Sequence, residues 1–270
     1  MQNLALIFFI SLALFACDMS SEEDANSGKL STSLQYDTIA LNDSIGDCSN
    51  GEGPCAEISF TYPNFTNAAN AEVLDSLNAF VVNRMQLFEE GDTIMTMSSY
   101  MQLYLDGYQQ LVDDMPEYRM PWSLERNMDV LFQNDTILSL SFYEYVFSGG
   151  AHPNSATQYY NFDLSTGKRI GLDDLFTEGY RDELNRVGEY HFRMLRRIPE
   201  EEKLEDQGFF FETEGFSLND NFAINGQELI FYFNSYEIAP YAMGPTEIHI
   251  PLYELSEYLK PEFKKEKLTL

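Results

Sequence analysis

The sequence has 270 residues, of which 44% are hydrophobic and 14% aromatic, so it can bury a substantial core. It carries 44 Asp and Glu residues against 16 Lys and Arg residues, a formal net charge of −28. Such a charge argues against nucleic-acid binding, which needs a basic surface, and it favours a basic partner over an anionic lipid surface.

The chain begins with a hydrophobic leader and an acidic spacer. Residues 4–16 form an apolar run that is too short to span a bilayer and is typical of a signal peptide. The run ends in Leu14-Phe15-Ala16-Cys17, which resembles a lipobox, so Cys17 is predicted to be lipidated. Residues 17–33 are predicted to form an acidic flexible tether. We therefore predict a signal peptide over residues 1–16 and a lipid-anchored envelope protein, with an uncleaved anchor or a plain secretory signal as alternatives.

Two strands and a cysteine-flanked loop follow the tether. Alternation predicts strands over Ser33–Leu41 and Ala56–Tyr62, the second ended by Pro63. Cys48 and Cys55 lie at or beside the loop between them, and an exported chain enters an oxidising compartment, so a Cys48–Cys55 disulfide is predicted. The alternative, a two-cysteine metal site, lacks a third ligand nearby.

Two helices are predicted next. Asn67 is placed to cap the first, which Gly91 ends, and Ser98 or Ser99 is placed to cap the second, over Tyr100–Met115. Residues at helical spacing are predicted to face the core: Val73, Leu77, Val81, Met85, Phe88, Met101, Leu105, Tyr108, Leu111 and Val112. The methionines Met95, Met97 and Met101 are interpreted as core filler rather than as metal ligands.

A strand over Arg119–Gln133 contains Trp122, predicted at the edge of the core, with a ligand-stacking role as the alternative. A long hairpin then begins at Ile137, with Leu138, Leu140, Phe142 and Val146 predicted on one face and Ser139, Ser141 and Tyr143 on the other. Its return strand is predicted over Thr157–Leu164. The loop Ser148–Asn154 between the strands contains Gly149-Gly150, a pair that permits a tight backbone path.

Several motifs in this region point to a known family. The sequence G-G-A-H lies between the two strands, and F-D-L, S-T-G-K and L-D-D-L-F follow. These motifs resemble the DUF3298 family, as does F-Y-F-N-S-Y-E-I-A-P-Y-A-M-G further on. Upstream, C-A-E-I-S-F-T-Y-P followed by a helix resembles DUF4163, its usual companion. The resemblance covers about Ala56 to Leu259.

The carboxy-terminal half is predicted to combine a helix, a hairpin and a last helix. The helix runs over Glu178–Ile198, with Tyr180, Leu184, Val187, His191, Met194 and Ile198 on its inner stripe. Phe222–Ile224 and Glu228–Asn234 are predicted to form a hairpin through Asn225-Gly226, with the second strand covered on both faces. A strand is predicted over Thr246–Ile250 and a last helix over Pro251–Leu259.

The search for chemistry yields no catalytic constellation. The histidines His152, His191 and His249 lie in no metal-binding motif, and no G-x-S-x-G nucleophile motif occurs. Two stiff loops are therefore the candidate binding surface, since rigid loops on a sheet commonly carry binding sites. The candidate residues are Gly149, Gly150, Ala151, His152, Tyr236, Pro240, Tyr241 and Gly244. Simple turn geometry and a structural hydrogen bond at His152 are the alternatives.

The fold is predicted as α+β, with a mixed or antiparallel sheet and packed helices in two intimately joined subdomains. The first, over residues 34–118, is DUF4163-like; the second, over residues 119–260, is DUF3298-like, and residues 261–270 form a tail.

The resemblance implies an extracytoplasmic module. DUF3298 forms the outer part of the lysozyme-sensing anti-sigma factor of bacilli and occurs beside some cell-wall deacetylases, which keep their activity in a separate domain. We therefore expect a non-catalytic lipoprotein without metal or cofactor that binds lysozyme, another basic protein or peptidoglycan. The expected location is the outer membrane, periplasmic or surface-exposed. A wall-glycan hydrolase or deacetylase-like enzyme and a structural envelope lipoprotein are the alternatives.

Overall fold

A computed structural model describes residues 34–49, 53–87, 93–212 and 215–264. These residues fold into two sheets and several helices, an α+β arrangement as predicted. The strands are β1 (Gln35–Gly46), β2 (Cys55–Asn67), β3 (Trp122–Gln133), β4 (Ile137–Phe147), β5 (Asn154–Asp163), β6 (Lys168–Arg169), β7 (Phe222–Asn225), β8 (Glu228–Phe233) and β9 (Thr246–Pro251). The α-helices are α1 (Ala71–Met85), α2 (Met97–Asp114), α3 (Leu172–Leu175) and α4 (Tyr180–Arg196).

The larger sheet has six strands in the order β1 to β6. All neighbouring strands are antiparallel except β2 and β3, which run parallel. A parallel pair needs a crossover connection, and α1 and α2 supply it, packing on one face of the sheet. Because β2 pairs with β3, the sheet is continuous across the predicted subdomain boundary at residues 118 and 119.

The amino-terminal strands are longer than predicted. β1 continues past Leu41 to Gly46, and β2 continues through Pro63 to Asn67. β3 pairs with β2 only as far as Thr61, so Pro63 lies where the strand has one neighbour and a missing N–H can be accommodated. Cys48 and Cys55 form a disulfide with a Cα–Cα distance of 5.3 Å.

Both predicted helix caps were wrong. Asn67 still belongs to β2, and Asn70 caps α1 by accepting a hydrogen bond from the Val73 N–H at 2.9 Å. Thr96 caps α2 in place of Ser98 or Ser99.

The inward faces of these helices follow the predicted stripes. The buried residues on them are Val73, Leu77, Val81, Met85, Met97, Met101, Leu105 and Tyr108, whereas Leu111 and Val112 are half-buried. Phe88, Gly91 and the predicted leader and tether with Cys17 lie outside the described residues.

The first four residues of β4 are buried on both faces, which corrects the prediction of a half-buried strand for this part of the hairpin. Leu138 and Leu140 face the helices, while Ile137 and Ser139 are also buried, at 1% and 0% exposure. The reason is that β7 of the smaller sheet packs over the opposite face. The smaller sheet has the order β7-β8-β9, so β8 is the middle strand and is covered as predicted.

The carboxy-terminal helical predictions need two corrections. On α4 the inner stripe passes through Gly188 and Phe192, while Met194 is 63% exposed and His191 half-buried. Residues Leu252–Leu255 form a short 3-10 turn instead of a last α-helix, and Phe263 of the predicted tail is buried. Within the described ranges, no helix has both the length and the apolarity needed to cross a bilayer.

Candidate functional site

The two loops predicted to bind are brought together. The rings of His152 and Tyr241 stack with centroids 4.6 Å apart and an interplanar angle of 20°. The ring of Tyr236 lies beside both, with its centroid 5.5 Å from that of Tyr241 and 6.4 Å from that of His152. The Tyr236 hydroxyl is 3.4 Å from His152 Nε2. Tyr236 is 55% exposed and Tyr241 39% exposed. We call these three rings the aromatic platform.

The backbone around the platform is unusual. Tyr236 has a φ of +71°, which is rare and costly for a bulky residue. Gly149 and Gly150 also have positive φ, and a Cβ at Gly149 would lie 2.9 Å from Tyr118 Oη. Glycine at position 149 therefore lets the hairpin tip approach Tyr118.

The other candidate residues frame the platform. Ala151 is exposed beside His152. Pro240 and Gly244 flank the 3-10 turn Tyr241–Met243, and the Pro240 carbonyl accepts a hydrogen bond from the Met243 N–H. His152 Nδ1 lies 2.9 Å from the Pro153 carbonyl, so the local contact proposed as an alternative exists alongside the stacking.

A row of asparagines follows the edge of β5 next to the platform. β6 covers only the last residues of that edge, so most of β5 has no strand on its outer side. Asn234 accepts from the Thr157 N–H at 2.7 Å and Asn221 accepts from the Tyr159 N–H at 2.8 Å. Both amides also donate to the Thr157 carbonyl. These side chains thus take the place of a further strand.

The third amide of the row reaches in the other direction. Asn161 is 2% exposed on β5, and its side chain donates to the Phe222 carbonyl and accepts from the Ile224 N–H, each at 2.8 Å. Ser139 Oγ donates to the same oxygen at 2.8 Å. Asn161 therefore joins the larger sheet to the smaller one at the floor of this edge.

Two adjoining cavities lie along the row, and we call them together the asparagine groove. Their volumes are about 420 Å³ and 460 Å³, and Tyr159, Arg169 and Asp220 line both. The remaining lining residues are Gln158, Tyr160, Asn161, Ile170, Gly171, Leu172, Asp173, Asp174, Arg181, Asn219, Asn221, Phe222, Asn234 and Glu237. Glu237, which directly follows Tyr236 of the platform in the chain, lines the groove.

Burial and hydrogen bonds shift the pKa values of two groups that line the groove, the Tyr159 phenol and the Asp173 carboxyl group. Burial and the nearby Glu247 carboxylate raise the pKa of Tyr159, which donates its hydroxyl to Glu247. The Tyr180 hydroxyl donates to Asp173 at 2.6 Å, and this bond lowers the pKa of the Asp173 carboxyl. At neutral pH the Tyr159 phenol is therefore protonated and the Asp173 carboxyl group is ionised.

The three histidines do not converge. His191 lies 3.0 Å from Glu254, while His249 lies between Glu228 and Glu247, at 3.2 and 2.8 Å. Among the described residues no group of three or more His, Cys, Asp or Glu side chains is arranged to hold a metal ion.

His249 gives a testable pH dependence. Burial alone would lower the pKa of His249, but its hydrogen bonds to Glu247 and Glu228 outweigh this effect and raise the pKa above 6.5. A raised folded pKa adds stability that is full below the unfolded value and is lost as the pH rises through the folded value. The wild-type protein should therefore have a higher melting temperature than His249→Gln at about pH 5.5. This difference in melting temperature should vanish at about pH 8.5. An unchanged difference across that range would contradict the assignment.

The family comparisons agree with the motifs. Residues 173–253 match the model of DUF3298, described as a protein of unknown function. Residues 49–155, where the sequence had indicated a DUF4163-like region, match a second family described as deacetylase PdaC.

Solved structures support the DUF3298 fold. A member of the DUF3298 family from Bacteroides fragilis NCTC 9343 is 23% identical, with a TM-score of 0.71 over 85% of this chain and 95% of that one. A DUF3298 family protein from Pseudomonas aeruginosa PAO1 is 17% identical, with a TM-score of 0.64 over 84% and 95%. At these identities the likeness shows the fold alone.

A curated relative corrects the expectation of a non-catalytic protein. The chain is 23% identical over 266 residues to the peptidoglycan-N-acetylmuramic acid deacetylase PdaC of Bacillus subtilis strain 168. The match covers 96% of this chain and 50% of that protein, so the chain spans about half the length of the relative. The prediction that the protein is not an enzyme is contradicted by this similarity and by the match to the deacetylase family model.

The sequence predictions missed the asparagine groove. Asn161, Asn221 and Asn234 occur in or beside apparent strands, where asparagine is disfavoured, and that mismatch was the available signal. Their partners in β5 and β7 are 61 to 77 residues away in the sequence, so the arrangement has no local pattern.

Proposed function

We propose that the protein binds the glycan of peptidoglycan in the cell envelope and that the aromatic platform and the asparagine groove form the binding surface. The observation that carries this proposal is the set of three clustered, solvent-exposed rings at the mouth of an amide-lined groove. The named substrate of the curated relative, N-acetylmuramic acid in peptidoglycan, supplies the ligand class.

The platform suits one face of a sugar ring. A sugar presents C–H groups on its faces and hydroxyls around its rim, and aromatic rings bury such apolar faces while leaving the polar rim hydrated. The platform rings contact one another but remain partly exposed, and Tyr236 keeps its positive φ at a cost in stability. Strain retained at an exposed ring supports a binding role.

The asparagine groove suits the hydroxyl and acetamido groups of the glycan. Asn219 and Gln158 line it, and side-chain amides offer both donors and acceptors to a neutral polar ligand. Asp220 and Glu237 add acceptors for hydroxyl groups. Sites of this kind, with convergent polar groups beside aromatic ones, are typical of small polar ligands.

Co-sedimentation with insoluble peptidoglycan tests the proposal. Tyr241→Ala should weaken binding about tenfold or more, because removing a central aromatic anchor typically costs about 2 kcal/mol. Tyr253→Ala is the matched control, since Tyr253 is 75% exposed but lies outside the platform. Equal loss in both variants, or no binding by wild type, would refute the proposal.

Tyr236→Gly sharpens the same experiment. Glycine accepts the positive φ without strain, so the melting temperature should stay the same or rise while peptidoglycan binding falls. A loss of both stability and binding would indicate that Tyr236 has a structural role instead.

A deacetylase-like activity is the second candidate, favoured by the PdaC family match over residues 49–155, which contains the hairpin tip with His152. Release of acetate from peptidoglycan by the full chain would support it, and loss of that release in His152→Ala would place the histidine in the reaction.

Retention on immobilised lysozyme but not on peptidoglycan would instead favour a basic protein partner for the acidic chain.

A further inference from the structure

Two arginines lack a carboxylate partner: Arg169, which lines the asparagine groove, and Arg84, which contacts the groove residues Gln158 and Tyr160. Across the described part of the chain, the guanidinium groups that form ion pairs are those of Arg126, Arg181, Arg186 and Arg193. Arg84, at the end of α1, and Arg169, in β6, form none, although the chain carries 44 acidic residues.

Both arginines lie against the ring of Tyr160. The guanidinium carbon of Arg169 is 4.7 Å from the ring centroid, and that of Arg84 is 5.8 Å away. Arg84 also stacks on Phe142 at 4.5 Å, and one of its terminal nitrogens donates to Gln158 Oε1, which accepts from the Tyr160 hydroxyl as well. Aromatic stacking and a neutral amide thus hold two cations close together.

The arrangement leaves charge and hydrogen-bonding capacity unused. The Nε atom of Arg84 is buried and makes no hydrogen bond to the described residues, which is costly for a charged group. The burial of Arg169, and to a smaller degree the proximity of Arg84, lowers the pKa of the Arg169 guanidinium. An arginine nevertheless stays charged at neutral pH, so the two positive groups repel each other unless an anion lies between them.

We propose that Arg84 and Arg169 bind a carboxylate of the ligand that occupies the asparagine groove. A planar guanidinium matches a carboxylate in a two-point hydrogen bond, and two of them on one aromatic ring would supply most of its partners. The inference rests on the proposed function, because the lactyl group of muramic acid and the stem peptides of peptidoglycan carry such carboxylates.

The charges along the groove favour this position for the anion. Arg169 and Asp220 line both cavities, while Asp173 and Asp174 line only the cavity farther from the platform. Those carboxylates repel an anion, so the ligand carboxylate belongs at the arginines. The neutral sugar groups then lie toward Asn234 and the platform.

Two sugars that differ in the carboxylate test the assignment. N-acetylmuramic acid bears a free lactyl carboxylate and N-acetylglucosamine does not. In calorimetric or NMR titrations of the full chain, Arg169→Gln should weaken the binding of N-acetylmuramic acid about tenfold and leave N-acetylglucosamine unchanged. Arg186→Gln, which removes an exposed and paired arginine of α4, is the matched control.

Arg84 requires a folding check because it packs on Phe142. Arg84→Lys keeps the positive charge but loses the paired N–H donors of the planar guanidinium. It should therefore weaken N-acetylmuramic acid binding while the melting temperature stays near that of wild type. An affinity for N-acetylmuramic acid that is unchanged in both Arg169→Gln and Arg84→Lys would overturn the inference, even if the platform variants still abolish peptidoglycan binding.

Small anions separate this inference from the proposed function. Lactate should shift the side-chain Nε–H resonances of Arg84 and Arg169 in wild type, even if insoluble peptidoglycan fails to bind. Inorganic phosphate should shift them less at equal concentration. Stronger shifts with phosphate, or none with lactate, would overturn the assignment of a carboxylate.

Discussion

Asn161→Ala should lower the free energy of unfolding by about 3–5 kcal/mol, because it leaves several buried backbone and hydroxyl groups without partners. The amide of Asn161 is the acceptor for the Ile224 N–H and for Ser139 Oγ, and the donor to the Phe222 carbonyl. Ser139 is fully buried and Asn161 nearly so, hence water cannot replace these bonds without opening the interface. The expected effect is at the upper end for a single substitution.

Thermal and urea denaturation measure this loss. For a domain of this size the melting temperature should fall by about 10 °C. Asn127→Ala on β3 is the control, since Asn127 is half-buried and its side-chain amide donates to the nearby Glu125 carboxylate. The control should cost less than about 1 kcal/mol. Equal losses of unfolding free energy in the two variants would mean that the buried amide at position 161 contributes no more to stability than a half-buried one.

The same variant should also affect the asparagine groove. Asn161 lines the groove and connects β5 to β7, so its loss loosens the contact between the two sheets. Peptidoglycan binding measured well below the melting temperature should therefore weaken, whereas the platform rings keep their loop contacts. Comparing the loss of unfolding free energy with the loss of peptidoglycan affinity in Asn161→Ala would show how strongly binding in the groove depends on the contact between the two sheets.

Local sequence patterns predicted the elements of the fold well. Apolar spacing identified α1 and α2 and their buried faces, and the turn at Gly226 identified the β7–β8 hairpin. The errors of detail have local causes. Asn67 and Asn70 are both good caps, and the strand simply extends over the first. On α4, Gly188 packs against Leu218 and moves the buried stripe toward Phe192.

The candidate site was predictable only in part. The two loops stood out through glycine, proline and tyrosine content, and the structure brings them together at the platform. The groove depends on contacts between distant asparagines and on two arginines that share Tyr160, and neither leaves a periodic signal. The double-sided burial of β4 likewise depends on a sheet formed from residues that come much later in the chain.

Arg126→Ala should be comparably damaging, with a loss of about 3–5 kcal/mol, because it leaves a partly buried carboxylate without its cation. Arg126 is 4% exposed and pairs with Glu144 at 2.6 Å. The same guanidinium donates to the Met85 carbonyl at 2.6 Å and to the Tyr100 hydroxyl at 3.1 Å. It therefore ties β3 and β4 to the end of α1, where helix carbonyls lack partners within the helix.

A double variant separates the ion pair from the rest of the network. Arg126→Met combined with Glu144→Gln removes both charges and keeps most of the volume, so it should recover about half of the lost stability in urea denaturation. Full recovery would mean that the bonds to Met85 and Tyr100 contribute little. Arg186→Ala is the control, because Arg186 forms an exposed pair with Glu183, and its loss should leave the free energy of unfolding nearly unchanged. If Arg126→Ala lost as little unfolding free energy as the control, burial would add nothing to this ion pair. Arg126 would then not be needed to hold the end of α1 on the sheet.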